Sequence, residues 1–115
     1  MLQDHHVIEL CAFLKDRNMI TRLNLKRNKI TNLGAKVIAN WINDHDQTLT
    51  TVDLTRNKIT RAGGEALLAS LKRLTRILDF QISYGNPIPL TVQLAIAGEV
   101  IANNQIKQNQ DNDKR

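Results

Sequence analysis

The chain repeats itself every 29 residues, and this repeat constrains the fold more than any other feature of the sequence. The segment ITRLNLKRNKIT at 20–31 is followed by LTTVDLTRNKIT at 49–60, and the five letters RNKIT are identical in both. A third copy keeps the spacing, because Asn28, Asn57 and Asn86 are each 29 residues apart. Such self-similarity predicts an array of stacked units, each burying its apolar side against the next.

The hydrophobic period changes halfway through each unit. In the first unit Leu23 and Leu25 alternate with polar residues, a pattern typical of a strand with one buried face. Leu33, Ile38 and Trp41 then follow at helical spacing, and the second unit repeats the change. A series of strand–helix units predicts an α/β fold with a parallel sheet.

The starts of the helices are also marked in the sequence. Thr31 and Thr60 lie between strand and helix, where an N-cap side chain is needed, and Pro89 takes that place in the third unit. We therefore predict a helix directly after each of these positions. In the last helix, Leu94 and Ile101 are expected to pack on the core.

The third unit is irregular between its strand and its asparagine. A strict 29-residue offset would turn Gln81 and Ser83 toward the core, whereas a shift of one residue turns Phe80 and Ile82 inward. Burying two unpaired polar side chains is the less stable arrangement. The shifted alignment is therefore favoured, and it leaves Gly85 as an inserted residue.

The pattern L-x-x-L-x-L-x-x-N-x-I followed by a helix resembles a leucine-rich repeat. The unit length and the stretches LGAKVIANWI and GGEALLASL are similar to the ribonuclease-inhibitor-like subclass of that family. The resemblance covers residues 20–104 and implies a short solenoid with parallel strands on a concave face and helices on a convex face. It also implies that Asn28, Asn57 and Asn86 form a structural ladder, whose amides satisfy backbone groups where the strands end.

The two ends of the array differ from its units. Val7, Leu10, Cys11 and Leu14 lie at helical spacing, which predicts an N-terminal capping helix over 4–16. The last residues are polar and predict disorder. The predicted organisation is one leucine-rich-repeat domain over 1–104, with repeats at 20–48, 49–76 and 77–104, and a polar disordered tail over 105–115.

A chain of 115 residues is long enough for a single domain. Its apolar segments are too short for a transmembrane helix, and its N-terminus lacks the features of a secretory signal. One cysteine excludes an intramolecular disulfide. These observations predict a protein of the cytoplasm, or one that is delivered to a cytoplasm.

Residues that could carry chemistry are sparse. His5, His6 and His45 have no metal-binding spacing such as H-E-x-x-H. Cys11 lies on an apolar helix face, where a free cysteine acts as a small hydrophobic residue. We therefore expect no enzymatic activity, no catalytic residue, no metal and no cofactor.

Outward side chains of the predicted strands form the candidate binding surface. Stacking places Arg27, Arg56 and Tyr84 in one column, about 5 Å from rung to rung, with Lys26 beside them. Arginine and tyrosine are frequent hot spots of protein interfaces, although duplication of the letters RNKIT explains the second arginine equally well. The predicted partner-binding residues are Arg22, Lys26, Arg27, Asp53, Arg56 and Tyr84.

The net charge of +5 favours a partner with an acidic patch. The sequence therefore predicts a non-catalytic module that binds another protein through its concave face, with no membrane contact. Binding of nucleic acid or another polyanion through the basic surface is one alternative, and homo-oligomerisation through an open end of the array is another. The resemblance extends to small repeat proteins of intracellular bacteria, so a bacterial effector is one interpretation.

Overall fold

The computed structural model describes residues 1–15, 20–45 and 48–113. Helices and short strands alternate along these ranges, which confirms the predicted α/β class. The elements are α1 Asp4–Leu14, β1 Arg22–Asn24, α2 Asn32–His45, β2 Thr51–Asp53, α3 Arg61–Arg73, β3 Asp79–Gln81 and α4 Leu90–Asp113.

The described strands form one parallel sheet in the order β1-β2-β3. Leu23 is paired with Val52, and Val52 with Phe80. All three side chains are buried, whereas Gln81 beside Phe80 is exposed. The one-residue shift predicted for the third unit is thus confirmed, because it keeps polar side chains out of the core.

Helices and strands share one apolar core. The helices pack side by side, α1 on α2, α2 on α3 and α3 on α4. Aliphatic side chains fill the space between helices and sheet, in keeping with the small number of aromatic residues. The largest completely buried side chains are Ile30, Ile38, Ile42, Leu49, Leu54, Ile59, Leu67, Leu71, Ile77 and Ile82.

The face that α4 turns to the core differs from the one that the sequence pattern predicts, and in α2 the first residue of the predicted face is exposed. Leu33, Leu94 and Ile101 are 56%, 62% and 59% exposed, so the prediction that they face the core is wrong. Smaller or neighbouring side chains take their places and let the helices approach the sheet closely. The buried positions are Gly34, Ala35, Ile38, Ala39, Trp41 and Ile42 in α2, and Val92, Ile96 and Asn103 in α4.

A residue of α1 caps the N-terminus of α2. The Asp4 carboxylate accepts hydrogen bonds from the backbone N–H groups of Thr31 (2.8 Å) and Gly34 (3.1 Å), and from the Thr31 hydroxyl. A carboxylate here satisfies donors that helix geometry leaves free, and it is favoured by the helix dipole. The predicted helix start after Thr31 is confirmed, because α2 begins at Asn32, but Asp4 is the capping acceptor and the Thr31 hydroxyl donates to it.

The same arrangement joins α2 to α3. Asn32 Oδ1 accepts from the N–H groups of Thr60 (2.8 Å) and Gly63 (3.0 Å), while Asn32 Nδ2 donates to Thr60 Oγ1 (2.7 Å). The Thr60 side chain makes no capping bond to its own helix, contrary to prediction. A Cβ at Gly63 would lie 2.7 Å from Asn32 Oδ1, so glycine allows the close approach of the capping amide.

This series of caps stops before α4. The residue that corresponds to Asn32 in the next helix is Arg61, which has no acceptor oxygen. The residue that corresponds to Thr60 is Pro89, which has no N–H group to be satisfied. The third unit therefore lacks both the acceptor oxygen that Asn32 provides and one of the two N–H groups that bond to it.

The N-terminal helix is shorter than predicted. Within the described residues α1 ends at Leu14 and Lys15 lies in a turn, while residue 16 of the predicted helix 4–16 is outside those residues. The segment before α1 pairs with the loop after β1. Lys29 donates its N–H to the Leu2 carbonyl (2.7 Å), in a parallel bridge that lies outside the three strands.

Residues 105–113 are helical, so the predicted disordered tail is wrong for this segment. They extend α4 as a solvent-exposed helix to Asp113. Lys107 pairs with Asp111 one turn later at 3.4 Å, and Ile106 lines a groove together with Leu78. These contacts accompany the continuation of α4 through a segment whose composition is mostly polar. Residues 114 and 115 lie outside the described ranges.

Two asparagines of α4 hold the turn that leads into β3. Asn103 is only 3% exposed, and its Nδ2 donates to the carbonyl oxygens of Leu74 (3.0 Å) and Ile77 (2.8 Å). Asn104 Nδ2 donates to the carbonyl oxygen of Leu78 (2.9 Å). These bonds fix α4 against the last strand.

Candidate partner-binding surface

The strand side chains that point away from the core form a surface that we call the strand face. The Asp53 carboxylate on this face accepts hydrogen bonds from the backbone N–H (3.0 Å) and the hydroxyl (2.7 Å) of Thr55. Gln81 Nε2 donates to Asp79 Oδ1 (2.8 Å). The Asp53 carboxylate is therefore fixed on the middle strand of the face, and Asp79 lies on its edge strand β3. Its two rows are Arg22–Thr51–Asp79 and Asn24–Asp53–Gln81.

Beyond the C-terminal ends of the strands lies a group that we call the basic corner, formed by Lys26, Arg27, Arg56 and Tyr84. All four residues are exposed, Tyr84 by 66%. The guanidinium carbon of Arg56 is 5.0 Å from the centre of the Tyr84 ring, and Arg56 Nη2 donates to the Tyr84 hydroxyl at 3.3 Å. The structure thus brings Arg56 and Tyr84 together in a cation–π contact. Arg22 lies at the opposite end of its strand.

The two arginines of the basic corner have a left-handed backbone. The φ angles are 60° at Arg27 and 57° at Arg56, and the corresponding residue of the third unit is Gly85, with φ 77°. Residues with a Cβ are disfavoured in this region by roughly 1–2 kcal/mol, whereas glycine is not. The prediction that Gly85 is inserted is therefore wrong, because Gly85 occupies the arginine position.

The extra residue of the third unit lies before Gly85. Arg27 donates its backbone N–H to the Thr55 carbonyl (3.0 Å), and Arg56 donates its own to the Tyr84 carbonyl (2.8 Å). Ser83 and Tyr84 together therefore span the distance that Thr55 spans alone. This lengthened loop places the tyrosine ring against Arg56.

Two further cations belong to the same loops and are absent from the predicted set. Lys29 and Lys58 are exposed, and each follows the asparagine of its unit. They line a groove of about 500 Å³ together with Thr31 and Leu33. The shared letters RNK are the sequence signal that marks them.

Asn28, Asn57 and Asn86 occupy equivalent positions at the strand ends, and their amides bond to backbone groups of neighbouring units. In the middle rung, Asn57 Oδ1 accepts the Ile30 N–H at 3.1 Å. Asn57 Nδ2 donates to the Leu25 carbonyl at 3.0 Å and to carbonyls of its own unit. One side chain therefore connects two consecutive turns.

The outer rungs make corresponding bonds. Asn86 Oδ1 accepts the Ile59 N–H (2.9 Å), and Asn86 Nδ2 donates to the Leu54 carbonyl (2.9 Å). Asn28 Oδ1 accepts the N–H of Leu2 (2.8 Å), a residue of the N-terminal segment. Asn57 and Asn86 are buried, whereas Asn28 is half-buried at the end of the array.

The histidines do not form a metal site within the described ranges. Three or more His, Cys, Asp or Glu side chains are nowhere grouped there to hold an ion. His6 Nδ1 accepts the Gln3 N–H (2.9 Å) at the start of α1, and the His45 side chain lies outside the described part. None of the helices in these ranges is both long and apolar enough to cross a bilayer.

Cys11 is buried in α1, and burial raises the pKa of its thiol from 9.0 to about 11. We expect alkylation by iodoacetamide at mildly alkaline pH to be about 100-fold slower in the native chain than in the urea-unfolded chain, because the nucleophilic thiolate is that much rarer. The same shift lowers stability as the pH rises from 9.0 toward 11, since only the unfolded chain ionises readily. Equal alkylation rates in both states would contradict the burial of this thiol.

Residues 18–39 and 45–68 match a family model described as Leucine Rich repeat. Together with the sheet and the helices packed along it, these matches show that the chain contains leucine-rich repeats. A solved structure of leiomodin-1 actin-binding site 2 has the same fold, with a TM-score of 0.73 over 98% of this chain and 80% of that one, at 12% sequence identity. No curated protein matches the chain in sequence.

Proposed function

We propose that the chain is a non-catalytic module that binds another protein through its strand face, with the basic corner at the centre of the contact. The leucine-rich repeats and a fold shared with an actin-binding domain support protein binding as the kind of function. The ribonuclease-inhibitor-like subclass, with a concave strand face, is part of this proposal. The proposed contact residues are Arg22, Lys26, Arg27, Asp53, Arg56 and Tyr84.

The left-handed backbone of Arg27 and Arg56 is the observation that carries the proposal. Gly85 shows that glycine fits the same position and would remove the steric penalty. Like charges on adjacent units also repel each other. Backbone strain at an exposed loop is typical of functional sites, where the side chain serves something other than folding. We infer that the two charges serve a partner.

The chemistry of the basic corner favours an acidic partner. A guanidinium binds both oxygens of a carboxylate with its planar set of donors, and Tyr84 supplies an aromatic surface beside it. Arginine and tyrosine at the centre of an interface contribute more binding energy than most residues. An Asp- or Glu-containing segment of a protein is therefore the proposed ligand, and the net charge of +5 attracts it at longer range.

Replacing Arg27 and Arg56 together with glycine is expected to abolish partner binding and to leave the free energy of unfolding within about 1 kcal/mol of wild type. Relief of the left-handed strain at two positions is offset by the loss of the Arg56–Tyr84 contact and by the greater unfolded-state entropy of two glycines. Immobilised wild-type and variant chains are exposed to the same lysate, and retained proteins are quantified by mass spectrometry. The matched control is Lys72→Ala with Arg73→Ala, which removes two charges at the end of α3.

Proteins that are retained by the wild type and the α3 control, but lost by the double glycine variant, would support the proposed site. Equal losses for both variants would show that net charge alone drives binding, and would favour the polyanion alternative. Titration with duplex DNA at increasing salt tests that alternative directly, because phosphate contacts lose affinity steeply with salt.

A further inference from the structure

The outer edge of β3 faces no other strand in the described part of the chain. Asp79 donates its N–H to the Thr50 carbonyl, and Leu54 donates its N–H to the Gln81 carbonyl. Residues 79 and 81 therefore direct their backbone groups toward β2. Phe80 lies between them, so its N–H and C=O point outward. Such an edge is a template for pairing with another strand.

The surface beside this edge is apolar. A groove of about 400 Å³ runs between β3 and α4, and Phe80, Val100 and Ile101 are among its lining residues. Leu94 is exposed on the outer side of α4, and space around Gly98 is open for at least 4 Å beyond the place of a Cβ. The corresponding surfaces of β2 and α3 are covered by the next unit. The exposed surface of β3 and α4 is therefore the one through which each earlier unit contacts the next.

Charge distribution favours a second copy as the occupant of this edge. All 16 lysines and arginines lie in residues 1–76 and 107–115. Residues 77–106 contain only two charged side chains, Asp79 and Glu99. Two copies can therefore approach through the third unit without the repulsion that their net charge of +5 causes elsewhere. An acidic partner, by contrast, finds no cation in this unit.

The geometry points to a two-fold dimer in which β3 pairs antiparallel with β3 of a second copy, centred on Phe80. Phe80 then exchanges both of its backbone hydrogen bonds with the partner's Phe80. Asp79 lies opposite the partner's Gln81, whose amide donates to a carboxylate. The flanking pairs are therefore complementary across the two-fold axis.

The helices are compatible with this pairing. α4 runs antiparallel to its copy, Gly98 allows close approach, and Leu94 and Ile101 bury apolar area. A two-fold contact closes at two chains, because both copies use the same surface. The homo-oligomerisation that the sequence offers as an alternative would thus use the outer edge of β3 and the exposed side of α4. It lies apart from the basic-corner cations and does not depend on the proposed function.

Ile101→Arg is expected to raise the dissociation constant of the dimer at least about tenfold, because it places a charge in the apolar contact of each copy. Sedimentation equilibrium over a broad concentration series measures the mass of the full chain. Leu33→Arg is the matched control, since it introduces the same charge at a comparably exposed leucine of α2. The wild type and this control should both approach twice the monomer mass.

A disulfide tests the strand register. The pairs formed by residue 79 and the partner's residue 81 flank a hydrogen-bonded pair, so their Cα atoms lie at the short separation that suits a disulfide. The double variant D79C/Q81C should form covalent dimers on oxidation. The control R22C/N24C has cysteines at the same positions of β1 and should stay monomeric under the same conditions.

A wild-type chain that stays monomeric at every concentration would overturn the proposal. Masses that grow without limit would also overturn it, because they require a head-to-tail contact. Dimerisation of the Ile101→Arg variant at wild-type strength would exclude the α4 surface. Equal crosslinking of the two cysteine variants would exclude the β3 pairing.

Discussion

Replacing Asn57 with alanine is expected to lower the free energy of unfolding by about 3 kcal/mol. The Asn57 side chain is 6% exposed, accepts the Ile30 N–H and donates to the Leu25 and Leu54 carbonyls. Alanine leaves the buried Ile30 N–H without its partner, at about 1–3 kcal/mol. The Leu25 and Leu54 carbonyls keep the amides of Asn28 and Asn86, so each of these two lost bonds adds only about 0.5–1.5 kcal/mol. Urea unfolding followed by circular dichroism measures the change.

The control for this prediction is Asn28→Ala at the end of the array. Asn28 is only half-buried, so water can reach the groups that lose their partner, and we expect about 1 kcal/mol. A larger loss in the free energy of unfolding for Asn57→Ala than for Asn28→Ala would show that the contribution of each asparagine depends on its burial. Equal midpoints for Asn57→Ala and wild type would show that these amides do not hold the turns together.

The strand positions could be predicted because their signal lies within each unit. Leu23 and Val52 are buried between exposed or half-buried neighbours, so alternation alone identifies the inward face. The spacing of the asparagines then aligns the units with one another. In the third unit, the cost of burying polar groups selected Phe80 over Gln81 and gave the correct register.

The helix caps could not be predicted by the same reasoning. Asp4 and Asn32 cap helices that begin about one unit later in the chain, whereas sequence signals for caps are local. The threonines that match the local signal are present, but their hydroxyls bond to the capping residues. The exposure of Leu33 was missed because the small residues next to it, Gly34 and Ala35, lie on the side that approaches the sheet.

The residues of the candidate site could be predicted from the sequence, but the backbone conformation of its loops could not. The sequence identifies Arg27, Arg56 and Tyr84 as outward residues near the strand ends. It does not fix where the extra residue of the third unit lies, because several alignments leave the buried positions unchanged. The left-handed φ shared by Arg27, Arg56 and Gly85 fixes it, and this conformation is a property of the folded loop.

Gly85→Ala is expected to lower the free energy of unfolding by about 3 kcal/mol, the other large effect in this fold. Alanine is strained at a φ of 77°, and its Cβ would lie 2.7 Å from the Cα of Arg56 and 2.9 Å from its backbone nitrogen. A backbone contact of this kind is relieved only by moving a whole loop. The substitution should also displace Tyr84 from Arg56, which a change in tyrosine fluorescence would report.

Gly98→Ala provides the matched control, because it adds the same methyl group where no atom lies within 4 Å. Gly98 is inside α4, where alanine is favoured over glycine by about 1 kcal/mol, so this variant should be slightly more stable than wild type. Both variants are unfolded in urea at low protein concentration, which keeps association out of the measurement. A loss of stability for Gly85→Ala together with a gain for Gly98→Ala would show that the close approach of two loops requires glycine at position 85. A Gly85→Ala variant as stable as wild type would mean that the lengthened loop can move away from Arg56 at little cost, and the strain assigned to the two arginines would then lose its main support.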